Sequence, residues 1–138
     1  MLHPYDDDFR DRIAHRCATF THLEADATAG ALKRAAVAIL LLETEDGSGD
    51  AAFLLTRRAK GLRGHSGQWA LPGGRCDAGE TTAQAALREI AEEVGLALGP
   101  DAVLGALDDY PTRSGYLITP VVVWAEIYPV LRLNHAEV

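Results

Sequence analysis

Gly74–Leu96 reads GRCDAGETTAQAALREIAEEVGL, and the rest of the chain is interpreted outward from it. Ala83, Leu87, Ile90 and Val94 are spaced by four, three and four, so they fall on one face of an α-helix. At about 100° per residue, Glu89, Glu92 and Glu93 are expected together on the opposite side. Thr81 with Gln84 three residues later reads as a capping box, and Gly95 as a left-handed stop. Carboxylates held that close repel one another unless a cation lies between them. Their oxygens suit hard divalent ions such as Mg²⁺ or Mn²⁺. On the glutamates alone, a solvated acidic helix face is the competing reading. The approach to the helix favours an ion. Leu71-Pro72-Gly73-Gly74 joins a rigid residue to two glycines that let backbone carbonyls come close to one.

Charge is unevenly placed around this stretch. The 138 residues carry a formal net charge of −7, which disfavours a general nucleic-acid surface. Yet five basic residues and no acid lie between Arg57 and Arg75, immediately before the acids of Gly74–Leu96. A basic strip beside a metal-ready acidic helix suits a small polyphosphate. Cys17 and Cys76 have no metal-type spacing and read as thiols of a reducing compartment. The N-terminal MLHPYDDDFRDR has no signal-peptide pattern, and no apolar run is long enough to span a membrane. The expected location is the cytoplasm, with no membrane partner.

The length suits one domain over residues 1–138, with an N-terminal helix and connector over 1–33. Residues 6–20 are predicted helical, with Phe9, Ile13, Cys17 and Phe20 as the apolar stripe. His3, His15 and His22 stand at no ligand spacing and read as surface or capping residues. Ala35–Leu42, AAVAILLL, reads as a strand covered on both faces. Asp46-Gly47-Ser48-Gly49 is a turn, so Ala51–Thr56 is expected to return antiparallel. Arg57–Gln68 is polar and glycine-punctuated, a loop suited to binding. Val103–Tyr110 and Leu117–Tyr128 are predicted strands around a Pro111–Gly115 turn, with Pro120 marking a bulge or strand edge. Helices packed on a mixed sheet make an α/β fold. Gly64-His65-Ser66-Gly67 does not extend to a nucleophile elbow, because Gln68 stands where the second glycine belongs.

The spacing of Gly74, Glu80, Arg88, Glu89, Ile90, Glu92, Glu93, Gly95 and Leu96 fills every defined position of the Nudix box. The chain therefore resembles the Nudix hydrolase superfamily. That resemblance implies an α/β/α sandwich in which the box forms a loop–helix–loop beside the mixed sheet. It also implies a further strand and helix after the position where this chain ends. Either the natural chain continues past Val138 or a partner copy, in a homodimer, supplies that cover.

Upstream, Leu54–Asp77 resembles the signature that precedes the box in the coenzyme A pyrophosphatase subgroup. It matches at Leu54, Leu55, Thr56, Arg58, Leu62, Arg63, His65, Gly67, Gln68, Pro72, Gly73, Gly74 and Asp77. Ala59, Trp69 and Leu71 depart from that signature, and the Trp69 change enlarges a side chain near the expected pocket. Glu137, in Asn134–Val138, matches the subgroup's Asn-x-x-Glu-Val and is a candidate base or further ligand; Glu126 is the weaker candidate.

The expected chemistry is metal-dependent hydrolysis of a phosphoanhydride bond in a nucleoside diphosphate derivative. Glu89, Glu92 and Glu93, with a carbonyl from the Gly73–Gly74 turn, would hold Mg²⁺ or Mn²⁺. Arg58, Arg63, His65 and Gln68 would bind the substrate. Arg88 and Glu80 would support the box structurally. The subgroup resemblance implies coenzyme A as substrate, giving 3′,5′-ADP and 4′-phosphopantetheine. An ADP-ribose or nucleotide-sugar pyrophosphatase is one alternative, and a non-catalytic nucleotide-sensing module is another.

Overall fold

The protein is represented by a computed structural model that describes residues 3–20, 32–59, 67–125 and 131–138. His22, the 24–31 connector, Arg63, His65 and Glu126 lie outside these residues.

Two long strands form the centre. Strand β1 (Lys33–Glu43) runs parallel to β8 (Tyr116–Trp124), in register from Lys33 opposite Tyr116 to Leu41 opposite Trp124. The other edge of β1 is shared by two short antiparallel strands, β2 (Ala51–Phe53) and β5 (Gly73–Arg75). The far edge of β8 pairs with β6 (Val103–Ala106) and β7 (Tyr110–Pro111), also antiparallel. A separate ribbon joins β3 (Thr56–Arg57) to β4 (Trp69–Ala70).

Helices cover both faces of this mixed sheet, which makes the α/β/α sandwich. Alternation along β1 divides its side chains. Ala36, Ala38 and Leu40 join Val121 and Val123 beneath α2 (Thr82–Val94), against Ala85, Ala86, Ile90 and Val94. On the opposite face Leu41 and Trp124 meet Tyr5, Phe9 and Ile13 beside α1 (Asp7–Thr19). The Tyr5 ring stacks on Trp124 at 4.1 Å, and its hydroxyl donates to the Ala125 carbonyl. Asp6 caps α1 by accepting from the Phe9 N–H at 2.8 Å. Cys17 packs where Gly105 leaves no room for a side chain, whereas Phe20, at the end of the predicted stripe, is exposed.

Three sequence expectations change. Ala51–Thr56 is not one strand: after the Leu54 N–H donates to Leu40, the chain leaves β1 and Thr56 pairs with Ala70. Val103–Tyr110 is likewise interrupted at 107–109. Pro120 lies inside a central strand rather than at an edge. The N–H and C=O of an extended residue leave on the same side. Because the Pro120 carbonyl accepts from Leu107, the missing N–H faces the break between β6 and β7, where no ladder bond is lost.

Candidate functional site

The start and stop of α2 match the sequence. The Thr81 hydroxyl accepts from the Gln84 N–H at 3.1 Å, and Gln84 Oε1 accepts from the Thr81 N–H at 2.9 Å. Gly95 ends the helix at φ 72°, in the left-handed region.

The arrangement of the glutamates differs from the single acidic face expected. Glu93 is only 7% exposed and Glu89 is half-buried, while Glu92 faces solvent. The buried arc of α2 is wider than its large apolar residues suggest, because the helix packs on β5 as well as on β1. Ala85 and Ala86 allow close approach from the helix side, and Gly73 and Gly74 from the sheet side. A side chain on Gly73 would collide with the Ala36 carbonyl, and one on Gly74 would strike the Glu89 carboxylate. These glycines therefore form part of a strand with no left-handed backbone, rather than the turn expected from sequence. Their small size is what the packing uses.

Arg88 organises one group of acids. Its guanidinium donates to Glu80 through Nε at 2.9 Å and Nη2 at 3.0 Å, to Glu89 at 2.9 Å and to Glu92 at 3.2 Å. It also donates to the Arg75 carbonyl at 2.9 Å, linking α2 to β5. Glu80 in turn accepts from the Asp77 N–H at 2.9 Å and closes the loop before the helix. The Arg88 hydrogen bonds hold the Glu80 carboxyl below its ordinary range, and the bond to Glu80 raises Arg88 further. Glu80 and Arg88, expected from sequence to support the box, are joined to each other by these contacts.

A second group shares Glu89 with the first. Glu89, Glu93 and Glu137 each bring one carboxylate oxygen within 4.8 Å of the others. Glu93 accepts from the Gly73 N–H at 3.0 Å, and Glu137 Oε2 is buried with no hydrogen-bond partner. Among the described residues, no Arg, Lys or His forms an ion pair with Glu93 or Glu137. Burial, then the charge of Glu89, pushes the Glu93 carboxyl up to about 7; burial also raises Glu89. Glu92 stands outside this cluster.

Glu137 reaches the cluster because residues 131–138 return over the end of α2. Arg132 and Asn134 donate to the Val94 and Glu93 carbonyls at 2.6 and 2.9 Å, satisfying acceptors that a helix end leaves open. The Ala59 N–H donates to the Glu137 carbonyl at 2.9 Å, tying this segment to the upstream loop.

Of the predicted substrate residues, Arg58 and Gln68 are described. Their backbones pair, with the Arg58 N–H donating to Gln68 at 2.8 Å. Arg58 lines a groove of about 230 Å³ that also touches Gly73 and Gly74, and its charge favours the ionised form of Glu93. Trp69 pairs with Arg57 and is 66% exposed; it does not line this groove, although its neighbour Ala70 does. Tyr116 and Arg75 line the groove too, and sequence reasoning missed both. Nothing in their local pattern marks them, because the β1–β8 and β1–β5 registers bring them together.

A NUDIX domain family model matches residues 32–132. Over 71 residues the chain is 46% identical to uncharacterized Nudix hydrolases named NudL from Yersinia pestis (strain Pestoides F) and Yersinia pseudotuberculosis (serotype O:1b, strain IP 31758). That alignment covers 51% of this chain and 36% of each relative, so the chain spans about a third of the length of the curated relatives it matches. Among solved structures, a MutT/nudix family protein from Enterococcus faecalis superposes with a TM-score of 0.65 at 16% identity, over 96% of this chain and 54% of that one. The Nudix hydrolase RenU from M. smegmatis gives 0.56 at 29% identity, over 74% and 64%.

Proposed function

The chain belongs to the Nudix family, and on that premise we propose that it hydrolyses the phosphoanhydride bond of a nucleoside diphosphate derivative with Mg²⁺ or Mn²⁺. The observation that carries this reading is the convergence of Glu89, Glu93 and Glu137 within 4.8 Å. Three carboxylates so close, one with an orphaned buried oxygen, form a donor set that fits a hard divalent cation. The Gly73 carbonyl would add a further ligand. The Gly73 N–H meets Glu93, and in an extended strand the carbonyl of the same residue opens toward the same side. Gly74 serves by leaving space for Glu89.

A bound divalent ion neutralises charge on the diphosphate and acidifies water at the site. The protein's own groups do the remainder. Arg58 lines the groove and its charge acts on Glu93, so its guanidinium is available to phosphate oxygens there. The Gly73 N–H and Arg88 hold Glu93 and Glu89 in fixed rotamers, so little reorganisation accompanies reaction. A carboxylate of the cluster takes the proton of the attacking water. Arg63, His65 and Gln68 complete substrate binding in this proposal, with Glu92 adding negative charge at the outer margin.

Within this class we propose coenzyme A as substrate, cleaved to 3′,5′-ADP and 4′-phosphopantetheine. The support is the upstream match around Arg58, Gln68 and Gly73, together with Glu137 in its Asn134–Val138 context. The test is a panel of coenzyme A, ADP-ribose and a nucleotide sugar, incubated with Mg²⁺ or Mn²⁺ and analysed by mass. Release of the two coenzyme A products at the highest kcat/KM is expected. Faster cleavage of ADP-ribose or the sugar nucleotide would replace the substrate, and no cleavage of any compound would remove the reaction.

A further inference from the structure

The groove beside the cluster has a composition that the diphosphate chemistry does not require. Its floor is the part of the sheet that α1 leaves open: Ala35 and Val37 from β1, and Ile118 from β8. Among the described residues, two arginines and no acidic residue line it. At its mouth the Arg75 guanidinium lies over the Tyr116 ring, 5.8 Å from the centroid. The registers put these groups on one face, since Arg75 pairs with Ala35, Ala35 with Ile118, and Lys33 with Tyr116. Tyr110, opposite Ile118 on β7 and 44% exposed, stands on the same face.

An apolar floor bordered by a tyrosine ring and an exposed planar cation fits a flat heteroaromatic ring better than a sugar or an aliphatic chain. Both rim groups stack on π systems, and the floor excludes water from one edge. The exposed Arg75 side chain is free to rotate over an incoming ring, because its structural role in the Arg88 contact uses only its backbone carbonyl. The groove also reaches the reaction centre. Gly73 forms part of its wall and donates to Glu93, and Arg58 lines it while acting on the same carboxylate.

We propose that Tyr116 and Arg75 form a clamp that stacks the base of the nucleoside diphosphate substrate, with the base lying on Ala35, Val37 and Ile118 and the diphosphate passing Arg58 toward Glu93. This inference rests on the hydrolytic reading for its substrate but not for its binding site. It assigns specificity to Tyr116, outside both motifs, and to Arg75, a position that neither motif constrains.

The test compares Tyr116→Ala, Tyr116→Phe and Arg75→Ala with the wild type in steady-state hydrolysis of the best nucleoside substrate from the panel. Base–aromatic stacking is worth about 1–3 kcal/mol, so Tyr116→Ala is expected to raise KM about 10-fold or more. Its kcat should stay within about 3-fold, because the base takes no part in bond breaking. Tyr116→Phe keeps the ring and should keep KM within about 3-fold, while Arg75→Ala should fall between. An unchanged KM in Tyr116→Ala, or a loss confined to kcat, overturns the clamp. Binding of 5′-AMP without metal, read by saturation-transfer NMR, separates the two readings. Wild-type saturation should be strongest at the adenine ring protons and should vanish in Tyr116→Ala. If the wild type cleaves nothing yet shows this pattern, the hydrolytic reading fails and the clamp stands. If it cleaves the substrate and the pattern is absent or survives Tyr116→Ala, the clamp fails alone.

Discussion

Two sets of carboxylates meet at α2, and they are built in opposite ways. Glu80 and Glu92 surround Arg88, which supplies a cation and several donors within 3.2 Å. Glu93 is buried on the inner side of the helix and Glu137 reaches it from the C-terminal segment, with a single backbone N–H for Glu93 and a buried, unpartnered oxygen on Glu137. Glu89 belongs to both sets, bonded to Arg88 and still within the cluster. The first set is complete as it stands. In the second, Glu93 and Glu137 have among the described residues no ion pair to offset their desolvation, only the charge of Arg58 acting on Glu93, and groups kept in that condition point to function rather than stability. Arg88 orients the helix and Glu89, and under the proposed function the cluster takes its compensation from a bound cation.

The sharpest way to break this division is Glu93→Gln. The amide still accepts from Gly73 but cannot neutralise a cation, so kcat/KM should fall about 10³-fold or more. Stability of the metal-free protein at pH 8 should hold or rise, since a buried charge is removed. Activity within 10-fold of wild type would show that the cluster is not the reaction centre. Arg88→Ala should behave differently. It strands Glu80 and Glu89 and should destabilise the fold by about 2–3 kcal/mol in urea titration while lowering kcat/KM about 10- to 100-fold. A variant that loses activity with no change in stability would move Arg88 from the scaffold into the reaction centre.

The scaffold was legible in the sequence because it is local. Thr81 and Gln84 are three apart, Glu80 and Arg88 eight apart, and Gly95 follows the last apolar residue of the helix. Helical periodicity and capping fix such relations without knowledge of the fold. The cluster was only half legible. Which glutamate turns inward depends on the breadth of the buried arc, and hence on the approach of β5 to α2, set by Gly73, Gly74, Ala85 and Ala86. Sequence spacing put Glu92 and Glu93 together, and packing separated them. Glu137 matched a motif, but its arrival beside Glu93 depends on Arg132 and Asn134 closing the helix end. The groove was not legible, because Arg75 and Tyr116 meet only through the pairing of three strands.

The contrast also has a pH signature. The Glu93 carboxyl is raised from its ordinary 4.5 to about 7, chiefly by burial, and Glu89 is raised for the same first reason. A raised carboxyl favours the folded state while protonated, so its contribution is present below about pH 4.5 and is lost as pH climbs through 7. Metal-free protein should therefore lose on the order of 2 kcal/mol between pH 5 and pH 8 from this site, measured by urea unfolding in chelator. Glu80, lowered by Arg88, titrates below that window and does not offset it. Under the proposed function Mg²⁺ would bind the ionised cluster, so the rise in Tm on adding it should be larger at pH 8 than at pH 5.5. Glu93→Gln should remove most of both effects. Equal Mg²⁺ shifts at the two pH values would mean that ion binding does not compete with protons at Glu93.

The smallest expected effect is the most informative about where the two sets divide. Glu92 is adjacent to Glu93 in sequence, yet its side chain is 47% exposed and meets Arg88 at 3.2 Å across one helical turn. Exposed pairs of this kind contribute little, so Glu92→Gln should cost less than about 0.5 kcal/mol. Outside the cluster, its charge acts on a bound ion through solvent, and kcat/KM should fall by less than about 10-fold. Measured beside Glu93→Gln, this variant asks whether two adjacent acids of one box are separated by packing or act together. A loss as large as that of Glu93→Gln would mean that Glu92 leaves Arg88 and turns inward when the ion binds. The helix would then carry one set of carboxylates shared between arginine and metal, and Arg88 would be a competitor for the ligands rather than their support.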